Sequence, residues 1–288
     1  MPEHHFTYIA TDGTEVGGYR WDPAAAPTGV VVVNHGMGEH AGRYARLAGA
    51  LTASGKVVYA NDHRGHGRTA ASTGGPGVLG PGGWPGLMAD IAQLVEHATT
   101  AHPGLPVVMI GHSMGSFALQ QYLLHHSEQL AGAVLSGTSA IDVISAGIDP
   151  DQEVDLSAFN APFEPARTEY DWLSRDDAEV DAYVADDWCG FGLDPAGAAS
   201  MLSSLAEAAD VASLVAIRGD LPIYLVSGTA DPLAGGGDLI ELVASRYRDA
   251  GVSDVTVALY PDARHEVFNE TNRDDITDAL VTWIAART

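Results

Sequence analysis

The sequence predicts an α/β fold: a mostly parallel central sheet flanked by helices, with an inserted helical cap. Three observations lead there. Short uncharged runs, Val30-Val31-Val32-Val33 foremost, have the β-branched composition of strands buried on both faces. These runs alternate with longer segments whose apolar residues recur at helical spacing, the pattern of strand–helix–strand units. The rhythm breaks at residues 139–215 and then resumes.

In chain order, His5–Ala10 and Val16–Trp21 read as an opening hairpin around the turn residues Asp12-Gly13. Val30–Val33, Val57–Ala60, Val107–Ile110 and Ala133–Leu135 read as buried strands. Tyr44–Ala53, Leu87–Thr99 and Met114–His125 read as the helices between them, and Gly74–Gly86 as a Gly/Pro-rich loop. Pro222–Val226 and Val255–Tyr260 return to the strand pattern, and Ile276–Ala285 closes the chain as a helix. Residues 139–215 are rich in Asp, Ala and Ser. Phe159, Phe163, Trp172, Tyr183, Trp188 and Phe191 are scattered through short helical pieces there. An excursion of that length between two strands is more often a functional lid than a bare loop. The expected organisation is therefore a core domain of residues 1–138 and 216–288 and a cap of residues 139–215.

With 288 residues and 46% apolar side chains, the chain can bury a sizeable core. It carries 38 acidic against 14 basic residues, a formal charge of −24, and such a field repels nucleic acid and anionic membrane surfaces. No run is long enough for a membrane span and no signal peptide is visible at the N-terminus. Cys189, the one cysteine, excludes an intramolecular disulfide and suits a reducing compartment, so a cytoplasmic location is expected.

The chemistry is announced by Gly111-His112-Ser113-Met114-Gly115, a G-x-S-x-G sequence that follows a strand and opens a helix. A sharp strand-to-helix turn strains the serine backbone and presents its hydroxyl at the sheet edge, where the helix N-terminus favours developing negative charge. This context predicts the α/β-hydrolase fold with Ser113 as nucleophile. A serine hydroxyl needs a base, and in this fold the order is Ser, acid, His. His125 and His126 sit late on the helix that starts at the serine and are carried away from it. His265, in the loop after the last strand, is the expected base. Asp231, in the loop after the preceding strand, is the expected acid, with Asp262 as competitor. The oxyanion hole needs two backbone N–H groups, expected from Met114 and from Met37 in the loop after Val30–Val33.

His35-Gly36-Met37-Gly38-Glu39-His40 with Arg43-Tyr44 resembles the oxyanion-loop motif of the monoacylglycerol lipases and bacterial lysophospholipases, the serine aminopeptidase S33-like group of α/β-hydrolases. Asn61-Asp62-His63-Arg64-Gly65-His66-Gly67-Arg68 resembles their second loop motif. The elbow, Gly228-Thr229-Ala230-Asp231 and His265 complete the series in order, over nearly the whole chain. The resemblance implies the triad Ser113, Asp231 and His265, with oxyanion amides from Met37 and Met114. It matches Arg43 to an arginine near the polar end of the monoacylglycerol lipase site; an ion pair behind the oxyanion loop is the competing reading. Gly36 and His112 are further candidate substrate contacts. Arg64 and His66 are expected to brace loops. The chain departs from some monoacylglycerol lipases at Phe268, where they carry a polar residue.

The expected activity is hydrolysis of monoacylglycerols or related medium- and long-chain lipid esters through an acyl-enzyme, without metal or organic cofactor. The sequence shows no Cys/His cluster at zinc-like spacing. A small lipid ester is the expected partner, with no nucleic acid and no stable membrane insertion. Short-chain esterase, lysophospholipase, thioesterase, peptidase, amidase and acyltransferase remain open on the same fold. A non-catalytic binding module is the alternative of another class.

Overall fold

The computed structural model describes residues 3–147, 149 and 151–288; Met1, Pro2, Ile148 and Pro150, which the expected domain boundaries include, lie outside it. Eight strands form one sheet: β1 (Glu3–Ile9), β2 (Glu15–Trp21), β3 (Gly29–Asn34), β4 (Lys56–Asn61), β5 (Val107–His112), β6 (Gly132–Ser136), β7 (Ile223–Gly228) and β8 (Val255–Tyr260). Their spatial order is β1-β2-β4-β3-β5-β6-β7-β8. The pairings β1–β2 and β2–β4 are antiparallel, and every later one is parallel. From β4 onward the strands therefore end along one edge, where α/β proteins gather their ligand and catalytic groups.

The uncharged strands are buried on both faces because helices cover both. The described helices are α1 (Ala45–Ala53), α2 (Ala70–Thr73), α3 (Gly83–Ala101), α4 (Met114–His126), α5 (Ile141–Ser145), α6 (Asp177–Val184), α7 (Pro195–Ala209), α8 (Asp238–Asp249) and α9 (Arg273–Ala285). Val31, Val33, Val58, Val108 and Ile110 pack on Leu47 and Leu51 of α1 and on Ile276, Leu280 and Ile284 of α9. Val30, Val32, Val57 and Met109 face Leu87 and Leu94 of α3, Leu119 and Leu123 of α4, and Ile240 and Val243 of α8. Alternate residues of one strand thus feed two cores, as the two-residue period requires.

Helices α2, α3 and α8 differ from the sequence expectation; α2 is a single turn that the sequence reading does not name. Helix α3 begins at Gly83, inside the expected loop. Pro85 sits in its first turn, where a missing N–H costs nothing, and Trp84 is buried. Helix α8 has no counterpart in the sequence reading, although Ile240, Val243, Ala244 and Tyr247 keep helical spacing and are its buried face.

Between β6 and β7 the chain leaves the sheet and carries α5, α6, α7 and several short turns of tighter helix. The aspartates there have a local reason: Asp155, Asp176, Asp194 and Asp210 each accept a backbone N–H at the start of a helical piece. Helix α4 is buried on almost all sides because Met201 and Leu205 of α7 belong to the same core. The segment is also tied to the loop after β8, since the His265 and Glu266 amides donate to the Trp172 and Leu173 carbonyls at 3.3 and 2.8 Å.

Candidate active site

At the end of β5, Ser113 has φ 51° and ψ −121°, a strained conformation for a residue with a side chain. The two glycines of the motif are there for space. A Cβ on Gly111 would lie 2.4 Å from the Gly115 carbonyl oxygen, and one on Gly115 would lie 2.3 Å from that of Asn34. Only glycine lets the N-terminus of α4 seat against the ends of β5 and β3. The turn is held further by the Ser113 N–H donating to the Ser136 carbonyl at 2.9 Å.

The same register brings the loop after β3 to the serine, because Asn34 pairs with Gly111. A Cβ on Gly36 would lie 3.1 Å from Ser113 Cβ, so the backbone of this loop passes directly beside the nucleophile candidate. Met37 and Met114 both line the cavity into which Ser113 opens. The Met114 N–H, at the first position of α4, belongs to the amides that have no acceptor within their own helix.

From the loops after β7 and β8 come Asp231 and His265, both buried, with Asp231 Oδ2 2.9 Å from His265 Nδ1. The other carboxylate oxygen accepts the Leu233 N–H at 2.9 Å. Asp262, the competing acid, is exposed, and its backbone N–H donates to the Thr229 hydroxyl. Burial disfavours a charged His265 ring, but the Asp231 carboxylate outweighs it and holds the histidine above its usual pKa. His265 Nε2 is buried and makes no hydrogen bond with the described residues. His265 and Ser113 line the same cavity.

About 610 Å³ of space, with the solvent at its open mouth included, lies between the walls of that cavity. One wall is apolar, formed by Ile144, Val154, Leu156, Phe159, Trp172, Leu173 and Met201 from the segment between β6 and β7, with Phe117 and Leu233 from the sheet side. The polar end holds Ser113, His265, His112, Glu39 and Glu266. Not every aromatic of the segment contributes: Phe163 lies under the Arg264 guanidinium, Phe191 lies beside His66, and Trp188 is 42% exposed.

Behind the polar end lies a charged cluster, the ion pair that is the competing reading of Arg43, with carboxylate partners that the sequence reading does not name. Arg43 donates to Glu39 Oε2 at 2.8 Å and to both oxygens of Glu266. Glu39 Oε1 accepts the Gly36 N–H at 2.6 Å and the Tyr44 hydroxyl at 2.8 Å. Burial alone would raise both carboxyl groups, but the Arg43 charge dominates and lowers them. Arg43 itself does not line the main cavity. It borders a smaller neighbouring one, together with Phe268, and His112 and Glu266 are shared between the two. The Glu39–Arg43 spacing of four residues is a visible signal for half of this cluster, whereas Glu266 is brought in only by the fold. Gly36 is committed through its N–H to Glu39, and His112 lies with its ring centroid 4.7 Å from that of His265.

The second motif braces the loop after β3. Arg64 is buried between Asp90 and Asp12, and His66 Nε2 accepts the Gly38 N–H at 3.2 Å. His125, at the far end of α4, pairs with Glu207.

Residues 25–272 match the family model described as serine aminopeptidase, S33. The chain belongs to the S33 family. This S33 chain is 35% identical to a monoacylglycerol lipase of Mycolicibacterium smegmatis, over 94% of its own length and 95% of the relative's. It is 28% identical to the human monoglyceride lipase, over 97% and 90%. A thermostable carboxyl esterase from Bacillus coagulans, solved in complex with glycerol, superposes with a TM-score of 0.88 at 27% identity, covering 100% of this chain and 99% of that one. An α/β-hydrolase architecture is common to them, and no described helix of this S33 chain is long and apolar enough to cross a membrane.

Proposed function

We propose that this chain is a serine esterase that hydrolyses monoacylglycerols and related lipid esters. One observation carries the reading: a strained serine, a histidine paired with a buried carboxylate, and a largely apolar cavity meet at one sheet edge. Kinship to the M. smegmatis and human lipases supports the ester substrate.

In the proposed mechanism His265 Nε2 takes the Ser113 proton as Oγ attacks the ester carbonyl, and the Met37 and Met114 N–H groups hold the oxyanion. Asp231 keeps the ring in the Nδ1–H tautomer and stabilises the imidazolium. His265 then protonates the departing alcohol, and water repeats the sequence to free the acid. Residues 139–215 act as the cap, with Leu156, Phe159, Trp172 and Met201 against the acyl chain. The alcohol end lies toward His112, Glu39 and Glu266. Arg43 serves it indirectly, by keeping both carboxylates ionised.

Steady-state kinetics on monoacylglycerols and p-nitrophenyl esters of graded chain length test this. Each buried methylene contributes up to about 0.8 kcal/mol, so kcat/KM should climb with chain length until the cavity is full. A steady fall beyond the shortest esters would replace the lipase reading with a short-chain esterase. Ser113→Ala should stay folded, lose about 10⁴-fold or more in turnover, and resist fluorophosphonate labelling.

A further inference from the structure

We propose that His40, Asp186 and Cys189 form a divalent-metal site that fastens the turn after α6 to the loop after β3. The three ligand atoms, one from each side chain, all lie within 4.8 Å of one another, and His40 Nε2 is 2.9 Å from Asp186 Oδ2. Tetrahedral zinc with N, O and S ligands holds such atoms about 3.3–3.8 Å apart, so closing on a metal needs only small side-chain movements. The cluster joins residues 149 positions apart in sequence, and it has no spacing signature.

The turn is already shaped for this. The Cys189 N–H donates to the Asp186 carbonyl at 2.9 Å, and the Trp188 N–H donates to Asp186 Oδ1 at 2.9 Å, which leaves Oδ2 facing His40. The two segments are held together without a metal, because the Tyr183 hydroxyl and the Gly190 N–H both donate to the Gly38 carbonyl, at 2.7 and 3.0 Å. The ligands are therefore preorganised on partly buried backbone. An open depression lined by His40, Asp186 and Trp188 admits an ion and leaves room for water as a fourth ligand.

The proton balance is explicit. His40 Nδ1 accepts the Gly42 N–H at 3.2 Å, so Nε2 carries the proton that it shares with Asp186. Ligation needs the Nε2 lone pair. The proton moves to Nδ1, at the expense of that one long hydrogen bond, and none is released. The Cys189 thiol does lose its proton to solvent as the metal–sulfur bond forms. Burial keeps this thiol protonated in the metal-free chain, and the nearby carboxylates of Asp186, Glu39 and Glu266 act in the same direction. Those carboxylates attract a divalent cation, while the opposing Arg43 charge is matched by Glu39 and Glu266. A mixed N, O, S set favours zinc or cadmium over magnesium or calcium.

The loop after β3 also carries Met37, so a metal there restrains the oxyanion loop against the segment over the cavity. That consequence rests on the esterase reading; binding itself does not. Calorimetric titration of the full chain with zinc and with cadmium, each alone, should give one saturable equivalent with one proton released. Cadmium should also produce a thiolate charge-transfer band. Cys189→Ser and His40→Gln should each weaken binding by about tenfold or more, with metal-free melting temperatures unchanged. Asp187→Asn, beside the cluster, should bind as the parent does. Zinc should slow long-chain ester hydrolysis in the parent, reversibly with chelator, and not in Cys189→Ser. Absence of saturable binding, or equal binding by both ligand variants, overturns the site. Binding without an effect on hydrolysis overturns the fastening. Failure to hydrolyse any ester overturns the esterase reading and leaves the metal titration to stand on its own.

Discussion

Mild acid should destabilise this chain before its carboxylates protonate, because histidines behind the active-site edge are buried as neutral rings. The His35 ring lies 4.2 Å from His63 and 5.2 Å from His66, centroid to centroid. Burial, the largest influence, lowers His66 and His112 from 6.5 to about 4, and moves His35 and His63 well below their usual value. Between those limits the unfolded chain binds protons that the folded chain refuses. The stability they contribute is complete above the unfolded value of 6.5 and is lost as pH falls toward the folded one.

For a ring shifted that far, the loss between about pH 7.5 and about pH 4.5 is roughly 2–3 kcal/mol, hence about 5 kcal/mol for His66 and His112 together. That is comparable with the whole folding stability of a domain, typically about 5–15 kcal/mol. His265 works in the opposite sense: its folded pKa is raised, so its contribution is present at low pH and fades as pH rises, offsetting part of the loss. Urea unfolding at a series of pH values measures the balance. Replacing His66 with Gln, whose side-chain oxygen can still accept the Gly38 N–H, should flatten the profile by roughly 2–3 kcal/mol over the same interval. A stability that stays constant down to about pH 4.5, in parent and variant alike, would refute the reasoning, because these rings would then be protonated or hydrated within the fold.

Three further outcomes follow from the site. Asp231→Asn should lower kcat by about 10³–10⁴-fold by favouring the wrong tautomer, while Asp262→Asn, at an exposed position, should change it little; the reverse ranking would reassign the acid. The acidic limb of kcat/KM should have its midpoint above 6.5, since only neutral His265 accepts the serine proton, and activity should fall as pH drops through that midpoint. Arg43→Met should cost about 3–5 kcal/mol by leaving Glu39 and Glu266 buried and unpaired, with a larger loss at alkaline than at mildly acidic pH, as paired unfolding titrations would read.

The sheet was legible because burial on both faces demands uncharged β-branched runs, and Val30–Val33 and Val107–Ile110 have that composition. The serine turn was legible because its demands are local: Gly111 and Gly115 are four residues apart and answer to the same close approach. Asp231 and His265 could be anticipated from the order of strands, since each follows a strand whose end lies on one edge. Helix α8 was present in the pattern at Ile240, Val243, Ala244 and Tyr247, but Asp238, Glu241, Arg246, Arg248 and Asp249 dilute its apolar signal. The start of α3 was hidden by Gly82, Gly83 and Pro85, residues that mark loops yet are tolerated at a helix entrance.

Electrostatic partners at long sequence separation are a different matter, and here they bear on chemistry. Arg43 read from the sequence leaves two roles open, a headgroup contact or an ion pair behind the loop after β3. Its partners turn it into a strut between two loops, because Glu39 grips the Gly36 N–H beside Ser113 and Glu266 directly follows His265. One guanidinium thus couples the backbone that passes Ser113 to the backbone that carries His265. A lysine would keep the charge but could not bridge both carboxylates with the same planar, multidentate geometry. The strut also explains how two acids can stand at the polar end of a largely apolar cavity: each is held ionised by the Arg43 cation. Substrate choice then divides physically. In the proposed mechanism the acyl end answers to the space left by Leu156, Phe159, Trp172 and Met201, and the alcohol end to oxygen atoms held in place by Arg43.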